Sequence, residues 1–253
     1  MKRYALIGRR LGHSYSQRWF GELFARLGLA DHRYDLHEMD SLAALHPWVE
    51  HEGIAGFNVT VPYKQEVIAY LDTLDETAMA VGAVNCVTVE HGRLVGHNTD
   101  APAFRRSLEA TGWKPRRALI LGTGGAAHAV ALALNELSIH YIYISRTTET
   151  KTDEVSLLEV ASYEQIPLLC SQKGTLIVNA TPVGMFPDEE SSPIPVIDFP
   201  LSYVYDLTYN PSPTRLMRDA LAAGAEVKDG MEMLHLQAEM SWQLFQQATD
   251  TVF

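Results

Sequence analysis

The chain has 253 residues, 47% hydrophobic and 20% charged, with a formal net charge of −11. That length can bury one large core or two moderate ones, and the acidic balance argues against a nucleic-acid or anionic-membrane surface as the main partner. A phosphate-bearing ligand must then be held by local donors. Cys86 and Cys170 are too few and too isolated for a disulfide framework or a zinc site. The ten histidines show no ligand spacing such as H-E-x-x-H, no run approaches membrane-spanning length, and the apolar run Tyr4–Gly8 is too short for a signal peptide. These features lead to the expectation of a cytoplasmic protein with no metal, no membrane and no nucleic acid as partners.

Taken in order, Tyr4–Ile7 reads as a strand, and helical periodicity begins near Gln17 with Trp19, Phe20, Leu23, Phe24 and Leu27 on one side. His32–Leu36 predicts a strand, Ser41–Val49 a helix, and Gly56–Val61 a strand ended by Pro62. Lys64–Leu71 then predicts a helix that starts at once, followed by a short one over Thr77–Val81. Asn85–Glu90 and Arg93–Gly96 flank His91-Gly92, a two-residue hairpin signal. Asn98-Thr99-Asp100 leads into a helix over Pro102–Ala110, the expected crossover into a second domain. Ala118–Leu121 is a short apolar run bounded by glycine, as in a buried parallel strand, and Ala126–Leu137 continues as a helix. Tyr141–Ile144 is the next strand. Ser156–Leu158 and Tyr163–Ile166 resist assignment. Strands follow at Leu176–Asn179 and Tyr203–Asp206, with an exposed acidic loop at Asp188–Ser192 between them. Thr214–Ala223 reads as a helix stopped by Gly224, Glu226–Lys228 as a short strand, and Gly230–Ala248 as a long last helix.

Gly122-Thr123-Gly124-Gly125-Ala126-Ala127 fits G-x-G-x-x-G/A between strand and helix. Gly122 permits the tight turn, Gly124 lets the backbone approach a pyrophosphate, and Ala127 keeps helix and strand close. The plain alternative is an ordinary β-α turn. The following strand ends in Ser145-Arg146-Thr147, where an NAD-binding unit usually has Asp or Glu for the ribose 2′-hydroxyl. A guanidinium with two hydroxyls suits a 2′-phosphate instead, so the cofactor expected is NADP. The alternative for Arg146 is a solvated arginine at a strand end.

The hundred or so residues in front of this corner are enough for a substrate domain, which makes a cleft between domains the default active site. Asn58-Val59-Thr60-Val61-Pro62-Tyr63-Lys64 puts polar groups at a strand end and a lysine at the start of the expected helix. The helix dipole and partial burial would both lower that lysine's pKa toward the range useful for proton transfer; the alternative is an exposed surface lysine. Asp100, just ahead of a helix with Pro102 in its first turn, reads most simply as an N-cap that can still face a cleft. His13-Ser14-Tyr15-Ser16 offers two hydroxyls on one side of an extended segment, for a polyol or for capping the next helix. Gly82-Ala83-Val84 before Asn85 lets a ligand or another backbone come close.

These motifs together resemble the shikimate dehydrogenases, NADP-dependent enzymes of aromatic amino-acid biosynthesis. The resemblance is carried by His13–Ser16, Asn58–Lys64, Gly82–Asn85, Asn98–Asp100 and Gly122–Ala127, with Asn179-Ala180-Thr181-Pro182-Val183-Gly184-Met185, Tyr209-Asn210-Pro211, and Gly230, Met233-Leu234 and Gln237-Ala238. They run in the family's order over essentially the whole chain. The resemblance implies two α/β domains: residues 1–100 with a mixed sheet as substrate-binding catalytic domain, rejoined by helices in 230–253, and residues 101–229 as a Rossmann-like NADP-binding domain. It implies that Ser14, Ser16, Thr60, Asn85, Tyr209 and Gln237 surround a small-molecule substrate, shikimate or 3-dehydroshikimate, and that Lys64 and Asp100 form the catalytic pair. Gly122, Thr123, Gly124, Gly125, Ala126, Ser145, Arg146 and Thr147 match cofactor positions, as do Glu76, Leu207 and Gly230.

The chain departs from the family in several places. Gln17 stands for a usual proline, Phe20 for histidine, Cys86 for threonine, Ser145 for the asparagine of N-R-T, and His128 for a common arginine; Arg9-Arg10 is unusual. A quinate-accepting or NAD-using relative is one alternative, although Arg146 argues against NAD. A non-catalytic NADP-responsive binding module would need no Lys64 with Asp100, and a protein-interaction scaffold has no repeat or charge run to support it. Both a monomer and a homodimer stay open.

Overall fold

The computed structural model describes residues 1–12, 14–147, 159–171 and 173–250. Two strand-and-helix series make up these residues. The first holds β1 (Lys2–Gly8), α1 (Tyr15–Leu27), β2 (His32–Glu38), α2 (Leu45–Glu52), β3 (Ile54–Val59), β4 (Thr73–Leu74), α3 (Glu76–Val81), β5 (Cys86–Glu90) and β6 (Arg93–His97). The second holds α4 (Asp100–Ala110), β7 (Arg117–Leu121), α5 (Gly125–Glu136), β8 (His140–Ile144), β9 (Val160–Ala161), α6 (Ile166–Leu169), β10 (Thr175–Asn179), β11 (Tyr203–Asp206), α7 (Arg215–Ala222), β12 (Glu226–Lys228) and α8 (Met231–Asp250). Contacts divide the chain into Met1–Asp100 with Leu236–Phe253, and Ala101–His235, so α8 changes unit in mid-helix.

The first unit is a mixed sheet in the order β2-β1-β3-β5-β6-β4. β1 runs parallel to β2 and β3, while β5 is antiparallel to β3 and to β6. His91 and Gly92, both at positive φ (51° and 79°), close the β5–β6 hairpin with the left-handed pair that a two-residue turn requires. Alternation along β1 buries both faces: Ala5 and Ile7 join the cluster of Leu42, Leu45, Phe57 and Val67, whereas Tyr4 and Leu6 join Phe20, Phe24, Trp242 and Phe245. The second face is thus covered by α1 and by the far half of α8, where Phe245 stacks 4.9 Å from Tyr4.

The second unit is a wholly parallel sheet in the order β12-β11-β10-β7-β8-β9. Read in chain order this is 3-2-1-4-5-6, the doubly wound arrangement whose direction reverses between β7 and β10. Ligands of such sheets bind beyond the strands' carboxyl ends at that reversal. The Gly122–Ala127 corner leaves β7 at this place, and α5 follows it.

Two expected elements differ, and one unassigned stretch is resolved. The helix predicted over Lys64–Leu71 is a turn followed by a 3-10 helix, Glu66–Tyr70. The Lys64 carbonyl accepts from Val84 N–H at 2.7 Å, and Ile68 N–H bonds Gln65 instead, so an α-helix cannot propagate from Lys64. Ser41–Val49 divides into a 3-10 turn, Leu42–Ala44, capped by Ser41, and then α2. Tyr163–Ile166 resolves into a 3-10 turn, Tyr163–Gln165, leading into α6. Ser156–Leu158 lies outside the described residues, as does His13.

His37 on β2 stacks against Trp48 of α2, ring centroids 4.4 Å apart and ring planes nearly parallel. Burial pushes its pKa below the ordinary histidine value, with Glu52 partly opposing. The unfolded chain then binds the proton more readily than the folded one, so this site costs stability as pH falls below about 6.5. Wild-type protein should lose more of its Tm between about pH 7.5 and 5.5 than His37→Phe, which keeps the stack without the proton. Parallel melting curves check it, and identical pH slopes would exclude His37 as a contributor.

Candidate active site

One end of the first sheet collects most of the polar residues singled out above. The carboxyl ends of β1, β3 and β6 and the amino end of β5 all lie there, as the register pairs Cys86 with both Asn58 and His97. Ser14 and Ser16 follow β1, Thr60 and Lys64 follow β3, Asn85 precedes β5, and Thr99 and Asp100 follow β6. The topology brings these residues to one edge.

Lys64 Nζ donates to Asp100 Oδ2 at 2.6 Å. Asn85 Nδ2 donates to the other carboxylate oxygen, Oδ1, and to Thr99 Oγ1, both at 2.9 Å, while Asn85 Oδ1 accepts from Thr99 N–H at 2.7 Å. Asp100 is the first residue of α4, and both its oxygens are engaged by side chains from elsewhere, which replaces the simple capping role. The lysine side chain is 19% exposed and the aspartate 8%, so the pair is shielded but still reachable on the lysine side. The expected helix dipole at Lys64 is missing because no α-helix starts there. The nearest charge to the ammonium is the Asp100 carboxylate.

A second layer of hydrogen bonds fixes this triad. Asn58 Nδ2 donates to the Asn85 carbonyl at 3.1 Å and to Ser241 Oγ at 2.9 Å, and Tyr34 OH donates to Asn58 Oδ1 at 2.8 Å. Ser241 Oγ lies 3.3 Å from Thr99 Oγ1 and donates to the Gln237 carbonyl one turn earlier on α8. Gln237 is thereby tied to the same network. Sequence reading missed Tyr34 and Ser241; the i, i+4 spacing of Gln237 and Ser241 was the available signal for the latter. Burial pushes the neighbouring Cys86 thiol up to about 12, so it is an inert core group. Ser14 caps α1, its Oγ accepting from Ser16 N–H at 3.2 Å; a hydroxyl that accepts there still has its proton to donate. Glu76, in the first turn of α3, is exposed and belongs to the first unit.

The remaining cofactor-side residues belong to the second unit. Gly122 has φ +100°, and a Cβ there would stand 3.1 Å from Thr181 Cγ2. Thr123 and Gly124 are exposed, and Gly124 is the N-cap of α5 with no side-chain cap, so the helix's first amides, at Gly125 and Ala126, have no capping side chain. Ser145 Oγ accepts from Thr147 N–H at 3.3 Å beside the exposed Arg146. Tyr163 stands near enough that Arg146 partly offsets the upward push of burial on its phenol. A helix start with no side-chain cap, a turn in which only Thr123 interrupts the glycines, and an exposed guanidinium fit a dinucleotide carrying a 2′-phosphate. Leu207, Tyr209 and Gly230 gather at the end of β11, where Gly230 N–H donates to the Thr208 carbonyl at 3.1 Å. Among the described residues no three His, Cys, Asp or Glu side chains are grouped to hold a metal ion, and no helix is long and apolar enough to cross a membrane.

Residues 6–87 match the shikimate dehydrogenase substrate binding domain. The NADP(+) shikimate dehydrogenase of Shouchella clausii is 36% identical over 254 residues, covering 95% of this chain and 91% of the relative. Among solved structures, shikimate dehydrogenase 1 from Peptoclostridium difficile matches with a TM-score of 0.87 at 32% identity, covering 98% of this chain and 92% of that one. A Thermus thermophilus shikimate 5-dehydrogenase in complex with NADP(H) and shikimate matches with a TM-score of 0.82 at 34% identity, covering 98% and 94%.

Proposed function

Since the chain belongs to the shikimate dehydrogenase family, we propose that it interconverts shikimate and 3-dehydroshikimate with NADP, and that Lys64 and Asp100 are its catalytic pair. The observation that carries this reading is the 2.6 Å contact of Lys64 Nζ with an Asp100 carboxylate whose other oxygen is held by Asn85. When bound, NADP⁺ accepts hydride from the ring carbon that bears the alcohol. Lys64 handles the proton of that hydroxyl: it takes the proton during oxidation and returns it to the developing alkoxide during reduction. Asp100 aims the amine at the substrate hydroxyl. Asn85, locked by Thr99 and Asn58, keeps the aspartate from turning away.

Residues 1–100 with the far half of α8 serve as the substrate domain. Ser14, Ser16, Thr60, Asn85 and Gln237 there, with Tyr209, surround the substrate's hydroxyls and carboxylate. The second unit serves as the NADP domain, with Gly122–Ala126 at the pyrophosphate, Ser145–Thr147 at the 2′-phosphate, and Leu207, Gly230 and Glu76 at the remaining cofactor positions. The two unpaired, buried cysteines support a reducing, cytoplasmic setting.

The direct test is the absorbance of reduced cofactor when purified protein meets shikimate or quinate with NADP⁺ or NAD⁺. The reading requires fastest turnover with shikimate and NADP⁺; no turnover with any pair would refute it. A narrower prediction concerns Gln237. Gln237→Ala should raise KM for shikimate about 5- to 10-fold, the loss of a net hydrogen bond of about 1 kcal/mol, and leave KM for NADP⁺ near normal. Steady-state kinetics against each substrate checks this, and an unchanged shikimate KM would take Gln237 out of the substrate site.

A further inference from the structure

Asp206 ends β11 and is completely buried, at 0% exposure. Among the described residues its hydrogen-bond partners are uncharged. Oδ1 accepts from Thr208 N–H and from Asn179 Nδ2, both at 3.0 Å, and Oδ2 accepts from Thr214 Oγ1 at 2.7 Å. Burial pushes the carboxyl's pKa up, and the hydrogen bonds from Thr208, Thr214 and Asn179 pull against that. Burying a carboxylate with no cation beside it is costly, so a chain that keeps one uses both acceptor oxygens. An asparagine of the same shape has only one.

The three donors sit on three different segments at the carboxyl edge of the parallel sheet. Asn179 ends β10, and its Oδ1 accepts from Thr181 N–H and Oγ1 at 3.1 and 2.6 Å. Thr181 in turn stands over the dinucleotide corner, where a Cβ on Gly122 would meet it first. Thr214 caps α7, accepting from Met217 N–H at 3.3 Å. Thr208 lies between Leu207 and Tyr209, and the backbone here is packed without slack: a Cβ on Gly230 would stand 2.0 Å from the Leu207 carbonyl oxygen.

We propose that Asp206 is a positioning residue for the nicotinamide end of the cofactor site. It clamps the Leu207–Tyr209 loop to the end of β10, and so fixes where the Leu207 carbonyl and the Tyr209 ring meet cofactor and substrate. This rests on the reading of the chain as an NADP-linked shikimate dehydrogenase. The adenosine side, at the end of β8, does not depend on the clamp. A displacement of about 1 Å in a hydride-transfer geometry costs up to about 10²-fold in rate.

Full-length wild type, Asp206→Ala and Asp206→Asn would be titrated calorimetrically with NADP⁺ and with adenosine 2′-monophosphate, well below each protein's Tm, and assayed with shikimate. The expected result for Asp206→Ala is a kcat lower by about 10- to 10²-fold and NADP⁺ binding about tenfold weaker, with the adenosine fragment binding as to wild type. Asp206→Asn, which keeps one acceptor, should fall between, and it carries the test alone if the alanine variant does not fold. Equal weakening of both ligands would mark a merely structural role and overturn the proposal, as would normal kcat and NADP⁺ binding in folded variants. A wild-type chain that neither binds NADP⁺ nor oxidises shikimate removes the functional reading and this proposal together. An active wild type with unaffected variants removes this proposal alone.

Discussion

Lys64→Met should lower kcat about 10²- to 10⁴-fold while KM for shikimate moves far less. Methionine keeps the length and apolar stem but has no proton to exchange, and a positioned general acid-base group contributes a factor of that size. A loss confined to kcat marks an interaction made in the transition state. The contact geometry adds a second expectation. Removing the ammonium leaves Asp100 held by Asn85, 2.9 Å away, at a largely shielded position, and a shielded charge that loses its counter-ion destabilises. Lys64→Met should therefore also melt somewhat lower, and Lys64→Met with Asp100→Asn should recover part of that Tm without recovering turnover. Kinetics and melting on the same preparations separate the effects. A folded Lys64→Met protein with near-normal kcat would leave Asp100 as the sole candidate for the proton.

Arg146→Ala should raise KM for NADP⁺ by about 10- to 150-fold, the equivalent of roughly 1.5–3 kcal/mol for a charge-assisted hydrogen bond. KM for NAD⁺, which has no 2′-phosphate, should barely change. Arg146 is exposed at the end of β8 and Ser145 and Thr147 turn around it, so truncation removes a ligand contact with little cost to the core. Initial rates against both cofactors decide it: equal losses, or none, would place the phosphate elsewhere. With a net charge of −11, the chain's overall field repels the cofactor, and the loss should shrink at high salt as that repulsion and the local attraction are both screened.

What the sequence disclosed and what it concealed divide along contact distance. The β5–β6 hairpin was legible because His91-Gly92 supplies both positive-φ positions locally. The strand, glycine turn and helix of the dinucleotide corner were legible because each is written in a dozen consecutive residues. The helix expected at Lys64 failed because Val84, twenty positions away, takes the Lys64 carbonyl. Asp100 read as a cap because its true partners, Lys64 and Asn85, come from other segments. Ser241 stayed hidden for the same reason: its contact with Asn58 spans 183 positions. Short pieces such as β9 carry no periodicity, and exist only because β8 offers a ladder to pair with.

The interrupted first unit has a consequence for how the molecule is made. Tyr4, Phe20 and Phe24 share a core with Ala238, Trp242 and Phe245, which leave the ribosome only after the whole second unit. Translating Ala101–His235 takes roughly 7–27 s at about 5–20 residues per second. During that interval the nascent amino-terminal sheet has one aromatic face covered by α1 alone, and at its end the parallel sheet has every strand it needs before that face is closed. Synthesis order and completion order are therefore reversed. Chaperone demand should fall on the first hundred residues, and nonsense mutations between Leu236 and Trp242 should yield insoluble chains even though Lys64, Asp100 and the whole dinucleotide corner have been made.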